Sequence, residues 1–136
     1  MAYWFEKYIG LPWAGVPEPP KSFTCGELVR YIYRERFGFD FLPVPVPDAR
    51  NLKDSLKAMS PKYFGLEQLD EPREFAIAFF QRRIICDHCG LAVATNCGLH
   101  ILHCATHAGV CLLRLADLKS TGFSAVTWWR HPEVAI

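Results

Sequence analysis

The sequence carries no excess of charge of either sign. Fifteen Lys and Arg residues oppose fourteen Asp and Glu residues, which leaves a formal net charge of +1 over 136 residues. Binding to nucleic acid or to an anionic membrane surface draws on a surplus of positive charge. The balance therefore argues against nucleic acid and membrane as partners.

Long hydrophobic runs are also missing, because charges or prolines interrupt every apolar stretch before it reaches the length of a membrane span. The first residues, MAYWFEKY, have neither the basic end nor the apolar centre of a signal peptide. We therefore expect synthesis in the cytoplasm, and work outside the cell would need another carrier. Under these conditions the six cysteines are expected to be thiols rather than a disulfide framework.

Repeats and linkers are absent too, so a single domain over 1–136 is expected. The first part of the chain has helical patterns at 4–9, at 25–37 with Gly38 as its end, and from Asp48 to Pro61.

The second half changes to short apolar runs separated by turns. Five strands are predicted there, at 75–80, 84–94, 99–106, 110–115 and 124–130. Helices followed by strands predict an α+β fold, in which N-terminal helices pack on a five-stranded, mainly antiparallel sheet.

One cysteine stands at a predicted helix start. Thr24 followed by Glu27 three residues later forms a capping box, which makes Cys25 the first residue of the helix. Backbone N–H groups and the positive end of the helix dipole then surround its sulfur and lower the pKa of the thiol. Cys25 is therefore a candidate nucleophile, and the alternative is a small buried hydrophobic residue.

Two histidines are predicted on one face of a β-hairpin. With a turn centred on residues 96 and 97, position 90 faces position 103, and His88 and His103 become diagonal neighbours. A nucleophilic acyl-transfer site needs three such groups: an activated thiol, an imidazole and a further group that orients the imidazole. Cys25, His88 and His103 could supply them. The alternative is that both histidines are ordinary residues of a sheet surface.

Small residues share the predicted histidine side of the hairpin, namely Gly90, Ala92 and Ala94. They leave room for an element to pack closely, and we expect the helix that begins at Cys25 to lie there.

These residues carry a resemblance to a known family. Four segments follow the family's motifs in order: 8–13 (YIGLPW), 23–29 (FTCGELV), 88–93 (HCGLAV) and 101–104 (ILHC). The chain resembles the NlpC-type cysteine peptidases, papain-like enzymes that cut peptide bonds in the bacterial cell wall. It is similar in particular to compact members found among phage tail-assembly proteins.

The resemblance implies a role for each matching side chain. Cys25 would be the nucleophile, His88 the general base and acid, and His103 the residue that orients His88, with no cofactor and no metal. The substrate would be a peptidoglycan stem peptide. Since no signal peptide is recognised, a phage tail or a secretion system would deliver the enzyme to the wall or periplasm, and proteins of that machinery or an immunity protein would be partners.

The substrate groove departs from the family pattern. Thr24 stands where the family has Asp, Trp13 where it has Tyr, and Gly26-Glu27 where it has Ser-Gly. The resemblance implies that Trp13, Thr24 and Glu27 contact the substrate, and the exchanges predict a rebuilt substrate groove.

A zinc site is one alternative. Cys86 and Cys89, with His100, His103 and His107 downstream, have the residue types of a tetrahedral zinc site, although positions 86 and 89 of a regular strand point to opposite faces.

Two alternatives keep the fold. The chain could be an inactive structural or binding domain of a tail or secretion apparatus, or the thiol and imidazole could serve an amidase or an acyltransferase.

The remaining cysteines carry less chemistry. Cys89 and Cys104 are expected to face each other across the hairpin as core residues, and no chemistry is predicted for Cys97 or Cys111.

Overall fold

A computed structural model describes residues 2–43, 60–82 and 85–136, with the backbone alone described at 85–87. The helix predicted from Asp48 to Pro61 lies almost entirely outside these residues. The segment that follows it, Pro61–Phe64, is a 3₁₀ helix. Within the described ranges, no helix is long and apolar enough to cross a membrane.

The main helix, α1, spans Cys25–Phe37 and confirms the predicted bounds. It begins there because Thr24 Oγ1 accepts a hydrogen bond from the Glu27 backbone N–H at 3.2 Å. It ends at Gly38, whose left-handed backbone (φ 63°) lets its N–H return to the Arg34 carbonyl.

Six strands form one sheet in the described part of the chain. They are β1 (Glu67–Leu69), β2 (Ile77–Arg82), β3 (Ile85–Thr95), β4 (Gly98–Ala105), β5 (Gly109–Arg114) and β6 (Ala125–Arg130). The spatial order is β1-β6-β2-β3-β4-β5, and every neighbouring pair is antiparallel. A 3₁₀ helix at Leu115–Thr121 connects β5 to β6.

Two details of the predicted architecture are wrong. The sheet has a sixth strand, β1, which is three residues long and forms only as an edge partner of β6, so it is too short for an alternating pattern to mark it. The N-terminal aromatic segment contains only the 3₁₀ helix Glu6–Tyr8, so in the described ranges α1 is the single α-helix. The other five strands lie within two residues of their predicted bounds.

The hairpin of β3 and β4 has the predicted register. Its backbone pairs run from Leu91↔Leu102 to Thr95↔Gly98, as a turn centred on residues 96 and 97 requires. Register determines which side chains share a face, because a slip of one residue would reverse every side chain.

Helix α1 packs on the sheet face formed by Cys89, Leu91, Val93, Leu102 and Cys104, which we call the helix face. These side chains form one hydrophobic cluster with the inward residues of the helix, which are Leu28, Val29, Ile32 and Tyr33. Branched side chains on both partners supply the buried apolar area that holds the helix in place.

The prediction that α1 covers Gly90, Ala92 and Ala94 is therefore wrong. Ala92 belongs to the cluster on the opposite side, with Phe80 and Ile101. Gly90 is small for a reason within the sheet itself. A Cβ atom at Gly90 would lie 2.8 Å from Ile101 Cγ2 and 3.1 Å from His103 Cβ. The missing side chain makes room for neighbours on β4, not for a helix.

The N-terminal segment closes the free edge of β5. The N–H of Gly10 donates to the Val110 carbonyl, and the N–H of Val110 donates to the Leu11 carbonyl, both at 2.9 Å. Gly109 has φ 71°, and a Cβ there would collide with the Leu11 carbonyl oxygen. A glycine is required at this crossing for both reasons.

Candidate active site

Cys25 lies half-buried at the first position of α1, against the start of β3. Its sulfur lies within hydrogen-bond reach of the Cys89 thiol, of the Cys89 backbone N–H and of the His88 side chain. The helix start therefore brings the sulfur into contact with two consecutive residues of one strand.

The thiol of Cys25 is acidic. Its pKa lies well below the ordinary value, first because the Cys89 thiol donates to the sulfur, and then because His88 supplies a hydrogen bond and positive charge. Burial of the sulfur acts in the opposite direction and is outweighed. Cys104 shows the contrast, since burial raises the pKa of its thiol to about 12.

His88 and His103 touch directly. His88 Nε2 lies 2.9 Å from His103 Nδ1, and the ring planes are nearly perpendicular. His103 is buried, and burial followed by the neighbouring His88 charge lowers its pKa to about 4. Because Nε2 of His88 is engaged by His103, its Nδ1 is the ring nitrogen left for the sulfur of Cys25.

An irregularity of the sheet accompanies His88. Phe80 pairs with His88 and Gln81 with Cys86, so the β2–β3 register shifts beside the histidine. Such bulges twist a strand and change the direction of the side chains next to them. The shift lies near the point where β3 meets Cys25.

Aromatic rings enclose the histidine pair on the sheet face opposite to α1. The His88 ring lies 4.9 Å from the ring of Phe80 and stacks on Phe123 at 5.6 Å, centroid to centroid. Phe80 also lies 5.7 Å from the ring of His103. These contacts hold the imidazoles in place and keep water from part of their surface.

Two cysteines of this site were missed by sequence reasoning. Cys89 is buried in the core as expected, but its thiol also donates to the sulfur of Cys25. Cys111 Sγ lies 3.5 Å from His103 Nε2. The proximity of Cys89 to His88 in the chain was visible, whereas the contact of Cys111 depends on the β4–β5 register, where it pairs with His103.

The three predicted substrate contacts occupy different surroundings. Thr24 is buried, and its hydroxyl caps α1. Glu27 is half-buried, and its Oε2 accepts from Arg30 at 3.2 Å. Trp13 is half-buried, pairs with Phe23 through a short parallel bridge, and packs against the main core. Thr24 therefore shapes the helix start, and Trp13 shapes the segment that leads into it.

An apolar pocket opens beside Cys25 on the helix side of the sheet. Its lining includes Gly26, which follows Cys25 in the chain, and Cys89, which touches its sulfur. The rest of the wall is mainly apolar, with Val29, Phe41, Phe64, Leu66, Ile77 and Phe79. The cavity volume is about 20 Å³, so this lining has room for an uncharged group about the size of a methyl.

The described side chains contain no group of three or more His, Cys, Asp or Glu residues that could hold a metal ion. The zinc alternative needs Cys86, of which the structure describes only the backbone. His100, another of its residues, has Nδ1 3.2 Å from the Thr95 hydroxyl at the hairpin end. His103 is engaged by His88 and Cys111.

Comparison with known proteins identifies the fold. No family model matches the chain, and no curated protein matches it by sequence. Among solved structures, the chain is similar to the crystal structure of the NlpC/p60 domain of peptidoglycan hydrolase SagA. The TM-score is 0.55, the identity is 16%, and the match covers 89% of each chain. The chain thus has an NlpC/p60-type fold.

Proposed function

We propose that this protein is a cysteine hydrolase that cleaves amide bonds in the stem peptides of peptidoglycan. The observation that carries the proposal is the continuous contact from Cys25 to His88 and from His88 to His103. The similarity in fold to a domain of a peptidoglycan hydrolase supports the choice of substrate class.

The chemistry assigned to this contact is acyl transfer in two steps. The Cys25 thiolate attacks the carbonyl carbon of the amide, and His88 gives a proton to the leaving amine as the C–N bond breaks. Water then attacks the thioester while His88 takes its proton, which releases the acid and leaves the Cys25 thiolate beside protonated His88, as at the start. His103 holds the imidazole of His88 through Nε2, as the third group of such sites does.

The start of α1 stabilises the charge that develops on the carbonyl oxygen. Backbone N–H groups at a helix N-terminus already point toward the position where the charge develops, so they need not reorient during the reaction. In this proposal the backbone N–H of Cys25 donates to the oxyanion.

The apolar pocket next to Cys25 binds an uncharged part of the substrate. A stem peptide offers alanine methyl groups as well as acidic groups, and an apolar lining favours the methyl groups. Cleavage beside an alanine is therefore the expected preference, with Arg30 as the charged residue of the lining and Glu27 as the partner of Arg30.

The protein reaches its substrate in this proposal through a phage tail or a secretion system. Proteins of that apparatus, or an immunity protein that blocks the groove, would be its partners. Hydrolysis is proposed over transfer to another acceptor because the structural neighbour is a domain of a peptidoglycan hydrolase.

The test uses soluble muropeptides of defined sequence and the full chain. Mass spectrometry of the products identifies the bond that is cut. Cys25→Ala should lower turnover at least about a thousandfold, since it removes the acidic thiol that His88 serves. Cys97→Ala is the matched control, because Cys97 is exposed at the hairpin turn and should retain full turnover.

Two results would remove the proposal. Intact muropeptides after prolonged incubation with folded protein would exclude the substrate class. Equal turnover in Cys25→Ala and in the unchanged chain would exclude Cys25 as the nucleophile. Cleavage that requires an added amine or alcohol would identify a transferase instead.

A further inference from the structure

The outer nitrogen of the second histidine has a partner of its own. His103 Nδ1 meets His88 Nε2 at 2.9 Å, and His103 Nε2 lies 3.5 Å from Cys111 Sγ. Cys111 is the direct cross-strand partner of His103 in the β4–β5 ladder, so the backbone holds the two side chains next to each other. The side chains therefore form a continuous series of contacts from Cys25 to His88, from His88 to His103 and from His103 to Cys111.

A neutral imidazole can donate from only one nitrogen and accept at the other. His103 is buried, and the low pKa of about 4 keeps its ring neutral at pH 7. The proton of His103 therefore lies either on Nε2, facing Cys111, or on Nδ1, facing His88. The position of this single proton determines the hydrogen-bond direction on both sides of the ring.

The two directions have opposite consequences for His88. With the proton on His103 Nε2, Cys111 Sγ accepts it, His103 Nδ1 accepts from His88 Nε2–H, and Nδ1 of His88 is free to take the proton of Cys25. With the proton on His103 Nδ1, the Cys111 thiol donates to Nε2, and a neutral His88 must accept at its Nε2. Its Nδ1 then carries a hydrogen and cannot act as a base.

We infer that Cys111 is a positioning residue of the proposed acyl-transfer site: its sulfur accepts the hydrogen bond of His103 Nε2–H and thereby selects the arrangement in which His88 can take the proton of Cys25. The inference rests on the proposed function for its catalytic meaning. The proton arrangement itself can be measured without any substrate.

The chemistry of a thiol suits this role. Burial raises the pKa of Cys111, so the side chain stays uncharged and adds no charge beside the histidine pair. Its sulfur is a weak acceptor and a weak donor. The direction of the hydrogen bond between His103 and Cys111 is therefore set by all the contacts in the series and not by the sulfur alone. Once His88 holds two protons, His103 Nδ1 must accept, and only an acceptor at position 111 completes the series.

Two substitutions separate this role from simple packing. Cys111→Ser keeps an acceptor and slightly reduces the volume, whereas Cys111→Val fills the site with apolar groups and removes the acceptor. A packing role predicts that the Val variant resembles the unchanged protein and that the Ser variant is impaired. A positioning role predicts the reverse order.

The first readout is a long-range proton–nitrogen NMR spectrum of the full chain with labelled histidines at pH 7, which reports the ring nitrogen that bears hydrogen. We expect hydrogen on His103 Nε2 in the unchanged protein and in Cys111→Ser. In Cys111→Val we expect a mixture or a shift to Nδ1. Cys97→Val should leave the spectrum of His103 unchanged.

The second readout is the rate at which iodoacetamide modifies Cys25 at pH 6.5, followed by mass spectrometry of the Cys25 peptide. Loss of one hydrogen bond of ordinary strength predicts a rate about three- to tenfold lower in Cys111→Val. The alkylation rate in Cys111→Ser should stay within about twofold of that in the unchanged protein, because serine keeps an acceptor at position 111.

Hydrogen on His103 Nδ1 in the unchanged protein would overturn the inference, and this measurement needs no variant to fold. Slower alkylation in Cys111→Ser than in Cys111→Val would overturn it too. If both readouts give the expected results and no muropeptide is cleaved, the substrate proposal fails while the role of Cys111 stands.

Discussion

His88 Nε2 and His103 Nδ1 lie 2.9 Å apart, although fifteen positions separate the two residues in the chain. The contact exists because the β3–β4 register makes them diagonal neighbours and because Gly90 leaves the space beside His103 empty. It connects the imidazole that touches Cys25 to a buried, neutral ring. The reactivity of the thiol therefore depends on sheet geometry as much as on the helix start.

The alkylation rate of Cys25 should follow the ionisation of an acidic thiol. The rate rises with pH and should level off below pH 8, because hydrogen bonds from Cys89 and His88 stabilise the thiolate. His88→Ala and Cys89→Ala should each move the midpoint to higher pH. Peptide-resolved mass spectrometry after short exposure to iodoacetamide measures the profile.

Cys104 and Cys111 serve as internal controls in the same samples. Burial raises the pKa of both thiols, so they should remain largely unmodified across the neutral range. Similar profiles for Cys25 and Cys104 would show that the sulfur of Cys25 is not activated.

Substitution of the two histidines should have unequal effects on turnover. His88→Ala removes the group that moves the proton. His103→Ala removes only the group that orients His88 and leaves that base in place. We expect the His88 variant to lose about tenfold to a hundredfold more activity than the His103 variant. Steady-state kinetics on muropeptides compares them, and equal losses would contradict the assigned roles.

Acid should weaken the folded protein through His103. The pKa of His103 is about 4 in the folded state and about 6.5 in the unfolded chain, so the unfolded state binds the extra proton between these values. Stability should therefore fall as pH drops from 6.5 to 4, with His103 contributing at most about 1.4 kcal/mol per pH unit. Urea unfolding across this range measures the slope.

His103→Gln is the comparison for the acid measurement. This variant lacks the titrating ring, so its free energy of unfolding should change less between pH 6.5 and pH 4 than that of the unchanged protein. Parallel curves for the two proteins would show that His103 does not titrate in this window.

The cap at the start of α1 should contribute to both stability and reactivity. Thr24→Ala removes the acceptor for the Glu27 N–H and should lower the free energy of unfolding by about 1 kcal/mol. Thr24→Ser keeps the hydroxyl and should restore most of it. Thermal unfolding and Cys25 alkylation on the same samples test both effects. A Ser variant as unstable as the Ala variant would assign the loss to packing of the methyl group.

Gly90→Ala should disturb the histidine pair from within the sheet. The added Cβ would lie 2.8 Å from both Ile101 Cγ2 and the Leu102 carbonyl oxygen, so β3 and β4 must move apart at an expected cost of about 1–3 kcal/mol. Chemical unfolding measures the cost. Gly15→Ala is the control, because its nearest contact is 3.5 Å and the change should stay within about 0.5 kcal/mol.

The local parts of this fold could be predicted from the sequence because their causes are local. Thr24 and Gly38 delimit α1 through a cap and a left-handed residue, and five strands follow from apolar runs bounded by turns. The short turn at residues 96 and 97 determined the hairpin register, since a two-residue connection leaves little freedom.

Elements without a local cause could not be predicted. Strand β1 is three residues long and forms only because β6 offers an edge. The side of the sheet that α1 covers was predicted wrongly, because small residues on one face indicate close packing without identifying the neighbour. At Gly90 the close neighbours are Ile101 and His103 of β4. The helix packs instead against the apolar side chains of the helix face.

Two features of the site follow from residues close together in the chain: Cys25 begins a capped helix, and His88 and His103 share one face of a hairpin. Caps and two-residue turns act over only a few positions. Packing between elements places α1 across the helix face and brings Cys25 to Cys89 and His88. Pairing of β4 with β5 brings Cys111 to His103. These contacts join residues from separate elements, so they arise only when burial of apolar side chains packs those elements together.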